Sequence, residues 1–302
     1  MFDNKSYELH IKHIGKQTDD KLKIWRDKET TDAYVHNEVY NLLNPIVKTY
    51  PSSFWLTLGD GRGGTDAHAL KIRGAKAHAS DLSAQHLEKA VEAGFIDECS
   101  AQNAENITFA DGYFDFVLCK ESYHHFPKPM IGVYEMLRVS KCGVVIIEPC
   151  DSEIFTPNEL TWRSGVHWLW QGIKNSIKKS INKPIYYEFG FYEEVGNYLY
   201  ATSKREFVKM ALGIDLPAIA FKGLNMIHIT GMEKEQWSPT APLYRKMLAQ
   251  KARMDKRSSA GIRPYNLLCS VIFKSMPDDA LIQALVKEGY DFIRLPRNPY
   301  NK

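Results

Sequence analysis

A short glycine-rich stretch directly after an apolar run is the feature that most constrains the fold of this chain. Residues 56–64 read L-T-L-G-D-G-R-G-G, and Asp81 follows the first of these glycines by about 22 positions, at the end of the segment A-K-A-H-A-S-D. Glycines let a backbone turn tightly and approach a ligand, and a carboxylate about 20 residues later can accept hydrogen bonds from ribose hydroxyls. The pattern therefore predicts a strand, a turn, a helix and a second strand that together hold an adenosine.

The same alternation of strand and helix continues towards residue 150. The runs F-D-F-V-L-C at 114–119 and G-V-V-I-I at 143–147 are almost entirely apolar, which is typical of strands buried on both faces of a parallel sheet. The predicted helices cover 65–73, 83–93 and 129–139, after an N-terminal helix that Thr31 or Asp32 could cap. These elements predict a doubly wound, mostly parallel α/β sheet with helices before it.

Composition excludes several classes of protein. The net charge of +3 is too small to indicate a nucleic-acid or membrane partner, and no run approaches the roughly 18 apolar residues of a membrane-spanning helix. The N-terminal residues lack the apolar segment of a secretory signal. The five cysteines are scattered and include no C-x-x-C pair, which favours reduced thiols in a cytoplasmic protein over disulfides or a zinc site.

Segments after the glycine loop distinguish between two kinds of adenosine-containing ligand. The loop itself fits both G-x-G-x-x-G, found in nicotinamide oxidoreductases, and the methyl-donor pattern G-x-G-x-G. Residues 102–120 read Q-N-A-E-N-I-T-F-A-D-G-Y-F-D-F-V-L-C-K, followed by E-S-Y-H-H-F, the helix Y-E-M-L-R-V and the strand V-V-I-I-E-P. In these segments the chain resembles the class I S-adenosylmethionine-dependent methyltransferases, in the group called methyltransferase type 11. The resemblance spans residues 52–150 and implies a Rossmann-like, seven-stranded sheet with S-adenosylmethionine as methyl donor.

The resemblance also implies a role for each matching position of the donor site. The implied donor-binding residues are Gly59, Asp60, Gly61, Gly63, Asp81, Leu82, Asn103, Ala104 and Lys120. The glycines would line the methionine and ribose side of the donor, and Asp81 would bind the ribose hydroxyls. Asn103 and Ala104 would lie beside the adenine, and the backbone of Lys120 would lie near the methionine.

Two positions depart from the family's pattern. The family usually has an acid two residues before the first glycine, where this chain has Thr57, and this weakens the orienting network of the loop. Asn103 stands where an Asp usually meets the adenine amino group, although its side-chain carbonyl can still accept that hydrogen bond. These departures leave open a catalytically inactive module that binds S-adenosylmethionine. Asp81 has an alternative role too, as the cap of the helix that follows it.

Polar side chains follow the fourth predicted strand, in the loop K-E-S-Y-H-H-F at 120–126. Reacting groups gather at the carboxyl ends of strands in open α/β sheets, and a hydroxyl or ammonium acceptor needs a base. His124, Glu121 and His125 are therefore the candidate catalytic residues, with Glu148 pointing towards the same cleft. For His125 a structural role at the start of the next helix is favoured. Glu121 could act as the base or orient a histidine.

The alternation of strand and helix ends after Pro149. Residues 151–200 are rich in Trp, Tyr and Lys and fall where such enzymes insert acceptor-recognition elements, so they are predicted to be a helical insertion that acts as a lid. A packed subdomain with a solvated lysine face is the alternative, and an interfacial basic helix near anionic lipid is a third. Further elements are predicted as a helix capped by Ser203, strands at 218–229 and 266–274, and a last helix from Asp279 to about Glu288.

These observations predict four parts and one activity. The parts are an N-terminal helical cap (1–50), the donor-binding half (51–150), the insertion (151–200) and the remainder of the catalytic domain (201–302). The activity is methyl transfer to a hydroxyl or amine of a small molecule, with a sugar or a lipid-linked glycan precursor as candidates. Near-neutral charge and the lack of an added RNA-binding module argue against a nucleic-acid partner, and peripheral membrane association is disfavoured.

Overall fold

The computed structural model describes residues 5–15, 19–151 and 198–300. Its helices are α1 (Lys5–Ile14), α2 (Asp19–Arg26), α3 (Thr31–Tyr40), α4 (Asn44–Thr49), α5 (Thr65–Lys71), α6 (Gln85–Glu92), α7 (Pro129–Val139), α8 (Lys204–Gly213), α9 (Pro242–Ser259) and α10 (Asp279–Lys287). Its strands are β1 (Phe54–Leu58), β2 (Lys76–Asp81), β3 (Glu98–Ala101), β4 (Phe114–Lys120), β5 (Ser140–Pro149), β6 (Ala218–Leu224), β7 (Leu267–Phe273) and β8 (Asp291–Arg294). Of the predicted insertion, residues 152–197 lie outside the described part of the chain.

The strands form one sheet in the order β3-β2-β1-β4-β5-β7-β6-β8. The first five in this order run parallel, whereas β7 runs antiparallel to β5 and β6, and β8 runs antiparallel to β6. The prediction of a mostly parallel Rossmann-like sheet is confirmed, with eight strands rather than seven. No apolar run in the sequence corresponds to β3 or β8. Both are short edge strands, so their side chains are largely exposed or half-buried and need not be apolar.

Helices cover both faces of this sheet, each over its own apolar cluster. On one face, α5 and α10 pack Leu70 and Leu285 into the cluster that contains Trp55 of β1. On the other face, α7 and α8 contribute Met136 and Phe207. Because successive side chains of a strand point to opposite faces, the central strands supply both clusters and need apolar residues at almost every position.

Side-chain caps set the start of three helices. Thr30, Ser203 and Asp278 each accept a hydrogen bond from the backbone N–H three residues later, at 3.2, 3.2 and 2.8 Å. The cap of α3 is therefore Thr30, one residue before Thr31, the first of the two predicted caps. The helix α9 has no predicted counterpart, because polar residues fill most of its length. None of the helices in the described ranges has the length and apolar character needed to cross a membrane.

The strand ends that matter for a binding site lie at one edge of the sheet. The glycine loop leaves the carboxyl end of β1, and β4 and β5 end at the same edge. Leu267, at the start of β7, pairs with both Pro149 of β5 and Leu224 of β6. The chain between β6 and β7, including α9, therefore emerges at this edge too.

Candidate functional site

A cavity of about 370 Å³ opens at the carboxyl edge of the sheet, within the roughly 300–1,000 Å³ of small-molecule sites. The predicted site residues that line it are Gly59, Asp60, Gly61, Asp81, Leu82, Asn103, Ala104, Lys120, Glu121, His124 and His125. Lining residues that sequence reasoning missed include Tyr7, His10 and Trp25 of the N-terminal helices, with Asp66, Gln102 and Phe126. Tyr7, His10 and Trp25 reach the cavity through tertiary contacts, which no local pattern reveals, whereas Gln102 and Phe126 adjoin predicted site residues in the sequence.

Close contact at Gly59 ties the glycine loop to the loop after β4. Gly59 has a φ of +72°, and a Cβ there would clash with the side chain of Ser122. The Ser122 hydroxyl donates a hydrogen bond of 2.8 Å to the carbonyl oxygen of Gly59. A side chain at this position would therefore separate the two loops. Gly63 does not line the cavity; its carbonyl accepts a hydrogen bond of 3.4 Å from Nε of Arg26.

The buried Asp60 carboxylate organises the glycine loop from within. It accepts hydrogen bonds from Oγ1 of Thr57 at 3.0 Å and from the backbone N–H groups of Asp66 and Ala67 at 3.0 and 2.9 Å. Both amides belong to the first turn of α5, where backbone donors have no partner within the helix. Burial and the neighbouring Asp66 raise the pKa of Asp60 well above its usual value. Position 57 lacks the acid that the family usually has there. The carboxylate of Asp60 lies beside Thr57 instead.

Asp81 places a desolvated carboxylate in the cavity wall. Its side chain is packed so closely that a Cβ on Gly61 would lie 2.8 Å from Oδ2 of Asp81. Burial raises the pKa of Asp81 to about 6, with a smaller opposing effect from the two following backbone N–H groups. The helix α6 begins only at Gln85, with Ala84 as its cap residue, so Asp81 does not cap it. The carboxylate keeps the acceptor capacity that two ribose hydroxyls require.

The residues after β3 form one side of the cavity. They supply an amide oxygen as an acceptor and hold α1 in place. The side-chain carbonyl of Asn103 accepts a hydrogen bond from Glu105 N at 2.9 Å, which leaves its second lone pair as an acceptor. The Glu105 carboxylate in turn accepts a hydrogen bond from the Tyr7 hydroxyl and lies 2.7 Å from Nζ of Lys128. These contacts hold α1 against the cavity beside Ala104.

The end of β4 carries a buried ion pair. Nζ of Lys120 lies 2.6 Å from Oε2 of Glu121 and 5.3 Å from the centre of the Tyr40 ring. Burial acts to lower the pKa of Lys120, but the charges of Glu121 and Asp66 outweigh it and raise that pKa. Burial acts to raise the pKa of Glu121, but Lys120 and His36 lower it to about 2. Glu121, which also has a left-handed φ of +50°, is therefore a carboxylate anion and a weak base at neutral pH.

Glu148, fully buried at the end of β5, holds the loop that follows β4. Its Oε1 accepts N–H bonds from Ser122 at 2.6 Å and Tyr123 at 2.8 Å, and its Oε2 lies 2.5 Å from Nδ1 of His124. Because a carboxylate has no hydrogen to donate, Nδ1 of His124 carries one, and the lone pair of the neutral ring is on Nε2. The ring of His125 packs beside it, with 4.0 Å between the centroids.

Acidic side chains outnumber basic ones in the cavity wall. The acidic lining residues are Asp60, Asp66, Asp81, Glu105 and Glu121, and the permanently cationic ones are Arg62 and Lys120. Glu105 and Glu121 are paired with Lys128 and Lys120, and burial raises the pKa of Asp60 and Asp66, so these four acids add little net negative charge. The close backbone approach at Gly61 and the desolvated Asp81 fit S-adenosylmethionine, a nucleoside with a cationic sulfur and a cationic amino group.

Comparisons with known proteins bear on the segment that builds this cavity. Residues 56–147, from β1 to β5, match the family described as "Methyltransferase domain". The fold is similar to the YcgJ protein from Bacillus subtilis, with 17% identity, 78% of this chain and 99% of that chain covered, and a TM-score of 0.45. It is also similar to a SAM-dependent methyltransferase from Methanosarcina mazei, with 17% identity, 77% and 98% covered, and a TM-score of 0.42. No curated protein sequence matches the chain.

The domain match decides between the two ligand classes that the glycine loop left open. It lies across the strands, the glycine loop and the loop after β4, where the sequence resembles methyltransferases. The nicotinamide oxidoreductase alternative, which depended on the loop alone, is therefore wrong.

Asp81→Asn should separate stability from donor binding. We expect the ligand-free variant to be more stable by about 1–3 kcal/mol at pH 8, because a buried carboxylate with a pKa raised from 3.8 to about 6 is removed. This gain should develop between those two pKa values and be absent below the lower one, where the carboxyl is protonated in both the folded and the unfolded state. The affinity for S-adenosylhomocysteine should fall about 10–100-fold. Urea unfolding and calorimetry measure both, and an unchanged affinity would contradict the assignment.

Asp60→Ala should destabilise the glycine loop. Two amides of α5 and the Thr57 hydroxyl lose their buried acceptor, so we expect the free energy of unfolding to fall by about 2–3 kcal/mol. The double variant Thr57→Asp/Asp60→Ala should recover part of this loss, because Oγ1 of Thr57 lies 3.0 Å from the carboxylate it would replace. Urea titration measures both variants. A double variant as unstable as Asp60→Ala would count against this account of the loop.

Proposed function

We propose, from the premise that this chain is a class I S-adenosylmethionine-dependent methyltransferase, that it methylates a hydroxyl or amine of a small molecule with His124 as the base. The observation that carries the proposal is the contact between the buried Glu148 carboxylate and Nδ1 of His124 at the wall of the cavity. A base whose ring is oriented by a third group is the arrangement that activates acceptors in many enzymes.

The donor is assigned to the cavity through three parts of its wall. S-adenosylmethionine supplies a methyl group on a positively charged sulfur. Asp81 accepts hydrogen bonds from the ribose hydroxyls, and the second lone pair of Asn103 accepts one from the adenine amino group. Gly59 and Gly61 let the backbone approach the remainder of the donor. Lys120, which ends β4, closes this side of the cavity and keeps its charge through Glu121 and Asp66.

Proton removal from the acceptor is assigned to His124. Transfer to a hydroxyl or an ammonium group requires a base, which contributes roughly 10²–10⁴-fold to the rate. Nε2 of His124 takes the proton, and the Glu148 carboxylate at Nδ1 stabilises the imidazolium that forms. Glu121 is a poor base because its pair with Lys120 lowers its pKa to about 2. We therefore assign it the role of positioning the Lys120 side chain.

Aromatic side chains in the wall suit an acceptor with a flat or cyclic body. Tyr7, His10, Trp25 and Phe126 all line the cavity, and the ring of His10 lies 5.7 Å from that of His125. Such rings can pack against a sugar or a planar group and exclude water from the reacting atoms. A sugar or a lipid-linked glycan precursor is therefore the acceptor class that we include in the proposal. The predicted lid over 151–200 would add to this surface, and residues 152–197 of it lie outside the described chain.

Replacement of His124 should reduce turnover and spare donor binding. His124→Gln keeps a hydrogen-bond donor for Glu148 but removes the base, so we expect kcat to fall roughly 10²–10⁴-fold with little change in the Kd of S-adenosylhomocysteine. His125→Gln is the matched control, because its ring lies 4.0 Å from that of His124 and it should keep most of the activity. Turnover is followed as S-adenosylhomocysteine release with a panel of sugars, phenols and amines, and the product as the mass gain of one methyl group.

Two results would overturn the proposal in distinguishable ways. A larger loss of kcat in His125→Gln than in His124→Gln would assign the base to the other histidine. Wild-type protein that fails to bind S-adenosylhomocysteine at millimolar concentration in calorimetry would contradict the assignment of the donor to this cavity.

A further inference from the structure

The helix α9 concentrates positive charge. Its 18 residues include six basic side chains and one acidic, a net charge of +5, whereas the whole chain has a net charge of only +3. The rest of the chain is therefore slightly negative. A small overall charge conceals one strongly basic element.

The basic side chains of α9 form a continuous exposed face. The exposed cations are Arg245, Lys246, Arg253, Lys256 and Arg257. Helical spacing places them side by side, with only Ala249 and Gln250 between them. The single acid, Asp255, lies 2.8 Å from the sixth cation, Lys251. None of the five exposed cations has a carboxylate within ion-pair distance among residues 5–15, 19–151 and 198–300.

The position of α9 is fixed relative to the donor cavity. Its opposite face packs Tyr244 and Met247 into an apolar cluster with Val35 of α3. Because α9 follows β6 and precedes β7, it lies on the same edge of the sheet as the cavity. The basic face therefore belongs to the active-site side of the molecule.

A chain of polar contacts also links this segment to the cavity. His228, in the same connection as α9, lies 3.2 Å from the Asp32 carboxylate. Asp32 lies 3.7 Å from His36, and Nε2 of His36 lies 2.9 Å from Nη1 of Arg62, which lines the cavity. The connection that carries α9 is thereby joined to the wall of the cavity through side-chain contacts.

We infer that the exposed basic face of α9 docks the protein on an anionic phospholipid surface. The helix is about 27 Å long, so its cations can contact several headgroups at once. Each Lys or Arg near an anionic bilayer strengthens binding about fivefold at moderate salt. Five such side chains suffice for measurable peripheral binding without insertion of the helix.

Exposed apolar side chains beside the basic face favour lipid over RNA as the partner. Leu248 within α9 is 40% exposed, and Ile262, just after it, is 37% exposed. At a bilayer interface, cations meet headgroups while neighbouring Leu and Ile side chains enter the headgroup region. If the basic face bound the phosphate backbone of an RNA instead, the same apolar side chains would stay exposed to water.

The inference concerns a surface, so it does not depend on the identity of the methyl acceptor. One consequence does rest on the proposed function: docking at α9 would bring the donor cavity to an acceptor carried on lipid. Vesicle binding is measured with neither methyl donor nor acceptor present. A lack of vesicle binding would therefore contradict the docking surface and leave the proposed methyl transfer untouched.

Vesicle co-sedimentation tests the docking surface. The full-length chain is mixed with vesicles of pure phosphatidylcholine, or of phosphatidylcholine containing phosphatidylglycerol, at low and high salt. The variant Lys246→Gln/Arg253→Gln/Arg257→Gln removes three charges from the face and should lower the partition coefficient on the order of 100-fold. The matched control Lys48→Gln/Lys76→Gln/Lys141→Gln removes three exposed charges near the amino edge of the sheet and should bind like the wild type.

The inference predicts binding to phosphatidylglycerol vesicles that high salt releases, with much weaker binding to phosphatidylcholine. Circular dichroism and thermal melting establish that both triple variants fold. Three results would overturn the inference: equal binding to neutral vesicles, equal loss of binding in both triple variants, or tighter binding of the wild type to a single- or double-stranded RNA oligomer than to the vesicles at the same salt.

Discussion

The buried carboxylate of Glu148 is the interaction on which the active-site side of this structure depends. A carboxylate without solvent is costly unless hydrogen-bond donors surround it, and here the donors are the N–H groups of Ser122 and Tyr123 and the ring of His124. These contacts fix the loop after β4 in one conformation. Since Ser122 also bonds to Gly59, the same carboxylate indirectly sets the position of the glycine loop. The base and the donor cavity therefore share one support.

The other acids of the site serve different purposes through different surroundings. Asp60 is fully enclosed and gives its acceptor capacity to the first turn of α5, so it maintains structure. Glu121 is compensated by Lys120 and keeps its charge. Asp81 has only backbone amides as described partners, and burial raises its pKa. A ligand whose hydroxyls donate hydrogen bonds to this carboxylate would offset part of its desolvation cost.

The sequence predicted the central elements well and the edges poorly, for physical reasons. The apolar runs at 114–119 and 143–147 lie within the observed β4 and β5, because strands covered on both faces need such runs. The helix at 129–139 has its predicted bounds, because Pro129 marks a helix start. The edge strands β3 and β8 and the exposed helix α9 lack such runs. Their positions depend on pairing and packing with distant segments.

The candidate site shows the same division. The glycine loop and Asp81 follow from local pattern and spacing, because a backbone turn and a strand end are local features. The role of Asp60 and the choice between His124 and His125 depend on where Ala67 and Glu148 lie in three dimensions. The docking of Tyr7 on Glu105 joins positions 98 residues apart and has no local signal.

The tautomer of His124 is the most direct test of the account, because it reports whether Glu148 holds the ring. It can be measured by long-range proton–nitrogen correlation NMR on protein labelled at the histidine nitrogens, in alkaline solution where the ring is neutral. The account predicts one tautomer, with the hydrogen on Nδ1 and the lone pair on Nε2. A hydrogen on Nε2, or an even mixture of the two forms, would contradict it.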